Sequence, residues 1–483
     1  MSHHLTDTIV ALATPSGVGA IGVLRLSGPD AIRIANSVFH GKDLEAQASH
    51  TVHFGTIRND EGRILDEVLA TVFVSPRSYT GENVVEVSCH GSDYIIQELI
   101  QLFIQKGART ANPGEYTLRA FLNGRMDLSQ AEAVADLIAS SSKSSHAIAM
   151  QQMRGGFSDE IKKLRQELID FASLIELELD FSEEDVEFAD RSKLEELVQK
   201  IQRIIKALLD SFQLGNVLKN GVSTVIAGRP NAGKSTLLNA LLNEERAIVS
   251  EIAGTTRDTI EEVLNIKGVQ FRIIDTAGIR DATDTIEAIG VEKTMQKVQS
   301  SALLVYVFDV VDTQPEEVRA DLERLAHENI HVLVVANKMD LNPYTKKEHY
   351  FPKSEVGSRK WEVGSRKAEV GKRKGEVADL VWIPISATNR MNIDYLKESL
   401  HDAVLSKKVN LESTIVANAR HYEALQKAYE DLDRVLQGLS TGITSDFVAM
   451  DIRASLHHLG EITGEISTDD LLGNIFGRFC IGK

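Results

Sequence analysis

The spacing of hydrophobic and polar residues predicts strands and a helix in the first part of the chain. Short β-rich runs, separated by turn residues, lie at 20–28, 52–58, 66–75 and 83–91. Apolar residues three and four positions apart at 92–107 predict a helix that follows the last of these runs. Residues 1–121 are therefore predicted to form a compact domain of mixed α+β class.

A helical pattern begins near Leu128 and continues to about Lys219. Ser129 and Glu132 have the spacing of a capping box, which marks the start of a helix. The stretch that follows contains no proline, and its apolar residues recur three and four positions apart. This pattern is typical of a helical bundle, so residues 122–219 are predicted to form the first part of an all-α domain.

Short β-branched runs return at Val222, and helical stretches connect most of them. The runs lie at 223–228, 271–274, 303–310, 331–338 and 381–386. They predict a parallel sheet with helices on both faces, in a domain that covers residues 220–392. Helical patterning resumes over 393–483, so the simplest architecture is an α/β domain inserted between two parts of a helical domain.

The composition is that of an ordinary globular protein, with 43% hydrophobic and 25% charged residues, and 483 residues are enough for several domains. Two cysteines are too few for a disulfide framework or a four-thiolate metal site. No apolar run approaches the ~18–20 residues that a membrane span needs. The first residues resemble neither a signal peptide nor a transit peptide, so a cytoplasmic location without membrane contact is predicted.

The net charge of −17 argues against indiscriminate binding of nucleic acid, which depends on Lys and Arg. An RNA partner would need a local basic surface. Residues 355–377 repeat a seven-residue unit, and 353–374 carry eight basic and three acidic side chains, a local charge of +5. The segment is interpreted as a solvated insertion, and a basic loop that contacts RNA is the alternative.

The motif GRPNAGKS, at 228–235, predicts a phosphate-binding loop. It matches GxxxxGK[ST], follows an apolar strand and opens a helical stretch, which is the context that the motif requires. Its glycines allow backbone N–H groups to turn toward phosphate oxygens, and the helix adds its positive N-terminus. Lys234 supplies a positive charge, and the Ser235 hydroxyl is predicted to ligate Mg²⁺.

Further motifs in the expected order indicate that the nucleotide is GTP. DTAG, from Asp275 to Gly278, ends a strand, where an Asp can hold the metal's water shell and a glycine amide can contact the γ-phosphate. Asp340 in NKMD can accept two hydrogen bonds from guanine, and adenine lacks that pair of donors. Ser386 and Ala387 are placed to bring a backbone amide near guanine O6.

The residues alone do not decide which group positions the attacking water. GTTRD, at 254–258, contains a Thr that can reach Mg²⁺ only when the γ-phosphate is present, which makes it a switch. Ile279 follows DTAG, where many small GTPases carry a Gln that orients water. Asp281, Asp284 and Glu287 are the carboxylates available instead.

This set of motifs resembles the MnmE (TrmE) family of tRNA uridine-modification GTPases. The matching pieces are GRPNAGKS, IAGTTRD, DTAGIRD with a Glu twelve residues after its Asp, the terminal FCIGK, TIVALATPSGVGAIGVLRLSG, SYTGENVVEVSCHG and PGEYTLRAFLNGRMDLSQAEA. The resemblance covers nearly the whole chain. It implies a multidomain fold of α+β and α/β class, with an N-terminal folate-binding and dimerisation domain, an all-α helical domain and an inserted Ras-like P-loop GTPase domain.

The resemblance also implies the activity and the partners. Members of the family are cytoplasmic homodimers that hydrolyse GTP and are stimulated by K⁺, and their GTPase domains pair in the GTP state. With a flavin-dependent partner, MnmG (GidA), they form a hetero-oligomer. Together the two proteins place an aminomethyl or carboxymethylaminomethyl group on C5 of the wobble uridine of certain tRNAs. The one-carbon unit comes from 5-formyltetrahydrofolate or a related reduced folate.

Motif by motif, the resemblance extends the nucleotide site. The expected GTP contacts are Asn231, Ala232, Gly233, Lys234, Ser235, Thr236, Ser250, Glu251, Ile252, Ala253, Gly254, Thr255, Thr256, Asp275, Thr276, Ala277, Gly278, Asn337, Lys338, Asp340, Ser386 and Ala387. The implied Mg²⁺ ligands are Ser235 and Thr256, and the implied K⁺ ligands are Asn231, Ser250, Ile252 and Thr255. Glu287 is implied as the residue that orients water.

For the folate, the resemblance selects Arg25, Glu86, Arg125 and Lys483. A carboxylate suits the edge of a pterin and cations suit glutamate carboxylates, so the residue types fit. Cys480 near the C-terminus is implied as a catalytic thiol, with a packing role as the alternative. Cys89 is interpreted as a packed thiol at a strand end.

A GTP-dependent assembly switch of the ribosome-biogenesis type is the competing hypothesis. The GTPase motifs do not distinguish it from a modification enzyme. The N-terminal domain and the Cys480 tail favour the enzyme, because an assembly switch needs neither.

Overall fold

The computed structural model describes residues 6–180, 191–245, 262–274, 301–326, 330–352, 380–405, 415–441 and 444–482. Its contacts divide the chain into two compact units. The first unit comprises 1–139, 149–209 and 419–483, and the second comprises 140–148 and 210–418.

A seven-stranded sheet lies in the first unit. Its strands are β1 (Ile9–Leu12), β2 (Ile21–Ser27), β3 (Phe39–His40), β4 (Thr51–Arg58), β5 (Ile64–Phe73), β6 (Val84–His90) and β7 (Arg109–Thr110). The order is β3-β4-β5-β6-β2-β1-β7. Only the β1–β7 pair is parallel, and the other neighbours are antiparallel.

Buried and more exposed residues alternate along these strands, so one face of the sheet is covered and the other is partly open. Helices α1 (Ala31–Val38) and α2 (Asp93–Gln105) bury one face, and residues of both helices share a core with the inward side chains of the strands. The other face is open along β4 and β5. There Phe54 lies opposite Leu69, and these side chains are 67% and 45% exposed.

In the ranges that the structure describes, five helices follow this sheet before the second sheet begins. They are α3 (Glu115–Leu122), α4 (Leu128–Ala139), α5 (Lys143–Met153), α6 (Gly156–Asp180) and α7 (Arg191–Asn220). The capping box of α4 lies two residues earlier than predicted. The amide of Gln130 donates to the Asp127 carboxylate at 3.0 Å, and the Gln130 side chain accepts from the Asp127 amide at 2.9 Å. Glu132 instead pairs with residues distant in the sequence.

The second unit contains a six-stranded sheet with helices on both faces. Its strands are β8 (Val222–Ala227), β9 (Glu262–Ile266), β10 (Val269–Ile274), β11 (Leu303–Asp309), β12 (His331–Asn337) and β13 (Val381–Pro384). The helices among its described residues are α8 (Lys234–Glu245), α9 (Pro315–Leu325), α10 (Lys347–Tyr350) and α11 (Ile393–Leu405). The strand order is β13-β12-β11-β8-β10-β9.

Strand β11 shows how this sheet is built. Leu303, Val305 and Val307 share one core with residues of α8 and α11, whereas Leu304, Tyr306 and Phe308 share another with α9 and α10. A strand that is apolar on both sides needs cover on both sides, as the β-branched runs predicted.

The second sheet is not purely parallel, contrary to the prediction. Strand β9 runs antiparallel to β10, and Lys267 and Gly268 join the two strands. Both residues have positive φ values, 50° and 87°, as in a tight type I′ hairpin turn.

Three further helices of the first unit lie in the described C-terminal part of the chain. They are α12 (Ala419–Thr441), α13 (Ser445–Thr463) and α14 (Asp469–Phe476). Helix α13 packs against α12, α6 and α4, so helices from both ends of the chain form one all-α layer. The predicted fold class, with α+β, all-α and α/β parts, is confirmed. The domain boundaries at 121, 219 and 392 stay predictions.

Candidate functional site

The predicted phosphate-binding loop connects β8 to α8 through two positions that accept only glycine. Gly228 has φ = 152°, and a Cβ atom there would lie 1.9 Å from the carbonyl oxygen of Val307. Gly233 has φ = 90°, and its Cβ would lie 2.2 Å from the side-chain nitrogen of Asn337. The loop therefore packs directly on β11 and β12, and any side chain at either position would displace it.

Lys234 begins α8 and lies across the loop. Its ammonium group donates to the carbonyl oxygens of Gly228 and Arg229, both at 2.8 Å. Burial lowers the pKa of Lys234, and the loop carbonyls compensate part of that cost. Ser235 and Thr236 follow in the first turn and are exposed, as is Asn231, whose φ of 62° is left-handed.

Arg229 ties the loop to α9. Its guanidinium group donates to Asp321 at 2.8 Å and pairs with Glu317. The Tyr306 hydroxyl also donates to Asp321, at 2.7 Å. The side chain of Arg229 is 39% exposed, and its guanidinium group is held by these two acids. Glu317 and Asp321 are four positions apart on α9, so they share one face of the helix. This spacing was the feature of the sequence that could have indicated the contact.

Asn337 joins two of the predicted nucleotide-binding segments. Its side-chain nitrogen donates to the carbonyl oxygen of Ala232 at 2.8 Å, and its side-chain oxygen accepts from the amide of Ala387 at 3.0 Å. Lys338 donates to the buried Asp309 at 2.5 Å. Asp340, three residues after the end of β12, is exposed, as the predicted guanine acceptor must be.

The amide of Ala387 is therefore used within the protein. It donates to Asn337, so its predicted approach to guanine O6 stays a prediction. Ser386 is buried, and its hydroxyl accepts from the amide of Asn389 at 3.2 Å. These contacts shape the loop after β13 against the end of β12.

Several predicted site residues lie outside the described residues. They are Ser250, Glu251, Ile252, Ala253, Gly254, Thr255, Thr256, Asp275, Thr276, Ala277, Gly278, Glu287 and Lys483, and the basic repeat at 355–377 belongs with them. Their predicted roles stay predictions.

Arg25 and Glu86, both predicted to bind folate, form an ion pair on the open face of the first sheet. They are direct cross-strand partners on β2 and β6, and the Arg25 guanidinium donates to Glu86 at 2.8 Å. Tyr79 and Tyr116 place their rings 5.6 Å from that guanidinium. The Tyr116 hydroxyl also donates to the Arg25 carbonyl oxygen at 2.6 Å. An aromatic wall beside a paired cation and acid is suited to a flat polar ligand.

The C-terminal tail reaches the same place. The chain is helical up to Phe476, and the residues after that helix pack on the N-terminal part of the chain. The amide of Gly114 donates to the Cys480 carbonyl oxygen at 3.4 Å, and Arg25 donates to the Gly482 carbonyl oxygen at 3.5 Å. Cys480 is exposed. The C-terminal tail therefore lies beside the Arg25–Glu86 pair.

Arg125 lies near Tyr79 on the first unit. Its side chain is exposed and packs against Gly81, where a Cβ atom would lie 3.3 Å from its Cγ. Tyr79 and Arg125 line a common cleft. The structure therefore connects Arg125 to the Arg25–Glu86 pair through Tyr79.

Cys89 is a packed thiol, as interpreted from the sequence. It is buried at the end of β6, and its S–H donates to the Gly22 carbonyl oxygen at 3.4 Å. Burial, with a smaller contribution from Asp66, raises the pKa of Cys89 to about 11. In the described ranges no group of three or more His, Cys, Asp or Glu side chains is arranged to hold a metal ion.

Two buried charge clusters were missed from the sequence. Arg119 is fully buried and pairs with Asp7, Glu82 and Glu115. Glu132, on α4, accepts from Arg420 at 2.9 Å and contacts His421 at 2.7 Å. Glu115 lies four residues before Arg119, but the other partners lie far apart in sequence, so no local pattern indicated them. Both clusters join elements of the first unit.

The fold and the loop define a P-loop nucleotide-binding protein. The chain belongs to the MnmE family: a family model described as the MnmE helical domain matches residues 128–480, and one described as the GTP-binding protein TrmE N-terminus matches residues 8–125. In the part that the structure describes, no helix is both long and apolar enough to cross a membrane.

Curated relatives match along essentially their whole length. A protein of Cytophaga hutchinsonii named tRNA modification GTPase MnmE is 56% identical over 478 residues, which cover 99% of this chain and 98% of that protein. Proteins of the same name from Christiangramia forsetii and Flavobacterium johnsoniae are 53% and 51% identical. The alignments cover 99% of this chain in both cases, and 100% and 99% of the two proteins.

Proposed function

We propose that this chain hydrolyses GTP and, with a flavin-dependent MnmG (GidA) partner, adds an aminomethyl or carboxymethylaminomethyl group to C5 of the wobble uridine of certain tRNAs. Because the chain belongs to the MnmE family, it is a tRNA modification GTPase. The observation that carries the nucleotide part is the contact of Asn337 with both Ala232 and Ala387. It supports one site for the phosphates and the base.

Residues 231–236 are assigned to the phosphates and Asp340 to guanine. Ser235, exposed in the first turn of α8, fits a Mg²⁺ ligand, since hydroxyl oxygen is a donor that this ion accepts. Asn231 is exposed beside it and is assigned to K⁺. When bound, these cations would neutralise charge on the phosphates. Thr256, Ser250, Ile252 and Thr255 are assigned to complete the two sites.

Glu287 is assigned to orient the attacking water. Ile279 has no polar group for that task, so the chain needs another acceptor after DTAG. Asp281 and Asp284 are the competing carboxylates of the same segment.

The one-carbon chemistry is assigned to the Arg25–Glu86 pair, Arg125 and Lys483. The carboxylate, the guanidinium groups and the rings of Tyr79 and Tyr116 suit a reduced, formylated folate. Lys483 follows Gly482, whose carbonyl oxygen already contacts Arg25. Cys480 is exposed in the same tail and is assigned as a nucleophile or acid–base group toward the uridine or the one-carbon adduct.

A homodimer is assigned to the open face of the first sheet. Val52, Phe54 and Leu69 are 57%, 67% and 45% exposed on neighbouring strands. Adjacent exposed apolar side chains on a sheet face commonly mark an interface. Pairing of the GTPase domains in the GTP state, stimulation by K⁺ and a cytoplasmic location follow the family resemblance.

Calorimetry on the purified chain tests this proposal. GTP should bind in preference to ATP, 5-formyltetrahydrofolate should bind, and hydrolysis should rise sharply when K⁺ replaces Na⁺. Preference for ATP would overturn the nucleotide assignment. Failure to bind any reduced folate would favour the assembly-switch hypothesis, since a switch needs no carbon donor.

A further inference from the structure

An open cleft of about 310 Å³ on the first unit carries the charge of Arg77, which the assigned sites do not use, beside that of Arg125. It is lined by His50, Phe73, Arg77, Ser78, Tyr79 and Arg125. Within the part of the chain that the structure describes, neither Arg77 nor Arg125 has an ion-pair partner. Two unpaired guanidinium groups along one small cleft are suited to anionic groups, above all to carboxylates, which Arg binds with two parallel hydrogen bonds.

The cleft is continuous with the proposed folate pocket. Tyr79 lines the cleft, and its ring lies 5.6 Å from the guanidinium group of Arg25. The Tyr79 hydroxyl is fixed by Thr117 at 2.9 Å. Phe73 and Glu86 lie on the same face of the sheet, because Thr71, two residues before Phe73, is the cross-strand partner of Glu86.

The size and walls of the cleft restrict what it can hold. Its volume is at the lower end of the range for ligand pockets, roughly 300–1,000 Å³, so it suits a fragment of a folate. His50 meets Phe73 edge-on with ring centroids 5.3 Å apart, which gives one apolar wall. A chain of carboxylates joined by short methylene and amide segments matches a cleft that arginines and aromatic rings line.

We propose that this cleft binds the γ-linked glutamate residues of a polyglutamylated folate. Arg125 takes the first glutamate, and Arg77 takes the α-carboxylate of a glutamate further along the tail. Arg77 thereby makes the site selective for long-tailed folates, whereas the Arg25–Glu86 pair serves the rest of the molecule. This inference rests on the folate part of the proposed function.

The test compares two probes on the full-length chain: 5-formyltetrahydrofolate with one glutamate and the same compound with three. Calorimetry should show that the triglutamate binds about tenfold more tightly, a factor that one added charge-assisted contact supplies. Arg77→Gln should abolish this preference and leave the affinity for the monoglutamate unchanged. Arg33→Gln is the matched control, because Arg33 is exposed on α1 and pairs with Asp30.

The outcomes separate this inference from the proposal on which it rests. Equal affinity for both probes, or a preference that survives Arg77→Gln, overturns the tail site and leaves the folate assignment intact. Binding of neither probe overturns both. If Arg77→Gln weakens binding of tRNA and leaves the folate preference unchanged, the cleft serves nucleic acid and the inference is wrong.

Discussion

The side chain of Asn337 donates a hydrogen bond of 2.8 Å to the carbonyl oxygen of Ala232, in the phosphate-binding loop. Asn337 is 3% exposed and ends β12, three residues before the proposed guanine acceptor. One buried amide thus fixes the loop for the phosphates and, through the amide of Ala387, the loop after β13. The loops proposed to bind the two ends of the nucleotide are therefore joined by one side chain.

Asn337→Ala should weaken GTP binding by about tenfold to a hundredfold, because both loops lose a buried hydrogen bond. Calorimetric titration with GTP measures the effect. Asn220→Ala is the control, since Asn220 is exposed and its side chain donates to that of its helical neighbour Asn216. Unchanged affinity in Asn337→Ala would show that the loops hold their shape without this contact.

Asp340→Asn should change the base that is recognised. Replacing the carboxylate removes one acceptor for guanine and adds a donor, which suits the additional carbonyl oxygen of xanthine. GTP affinity should fall about tenfold or more, and XTP affinity should rise. Competition binding with GTP, XTP and ATP measures both. If the variant prefers GTP as strongly as the wild type does, Asp340 does not contact the base.

Glu287→Ala should leave GTP binding intact and reduce turnover by roughly 10²–10⁴-fold, the usual contribution of a group that handles the attacking water. Single-turnover hydrolysis with K⁺ present measures the chemical step. Asp281→Ala and Asp284→Ala are the matched controls in the same segment. If one of them abolishes turnover and Glu287→Ala does not, the assignment moves to that residue.

Glu132 should make the first unit sensitive to acid. Burial raises the pKa of this carboxyl, but His421 and Arg420 outweigh burial and bring the pKa down to about 2. A depressed pKa contributes stability that is present above the unfolded value of roughly 4.3 and is lost as pH falls toward the folded value. The free energy of unfolding should therefore fall between about pH 5 and pH 2.

Glu132→Gln tests that linkage. It removes the buried carboxylate that Arg420 and His421 contact and should cost about 3–5 kcal/mol at neutral pH. The fall in stability below pH 5 should be shallower in this variant than in the wild type, as measured by chemical denaturation. Glu423→Gln, at an exposed i, i+4 pair with Lys427, should behave as the wild type. Parallel pH profiles for Glu132→Gln and the wild type would contradict the assignment.

Much of the fold could be predicted because local pattern and tertiary environment agree. The β-branched runs of the second unit are buried on both sides, so their composition reports their position directly, as in β11. The glycine-rich loop was also predictable, because Gly228 and Gly233 adopt backbone conformations that other residues rarely do.

What could not be predicted depends on partners distant in sequence. Ser129 and Glu132 have the spacing of a capping box, yet Asp127 and Gln130 cap the helix. Glu132 pairs with Arg420, 288 positions away, and such a contact leaves no local pattern. The same reasoning explains why the contact of the tail with Arg25 required the structure.

The most direct test of the account measures modified nucleosides. A strain that lacks the gene should carry tRNA with unmodified C5 at the wobble uridine, as read by mass spectrometry. The wild-type chain should restore the modification, and Lys234→Ala, which removes the charge from the phosphate-binding loop, should not. Full modification in the deletion strain, or full rescue by Lys234→Ala, would contradict the claim that GTP hydrolysis by this chain drives the modification of tRNA.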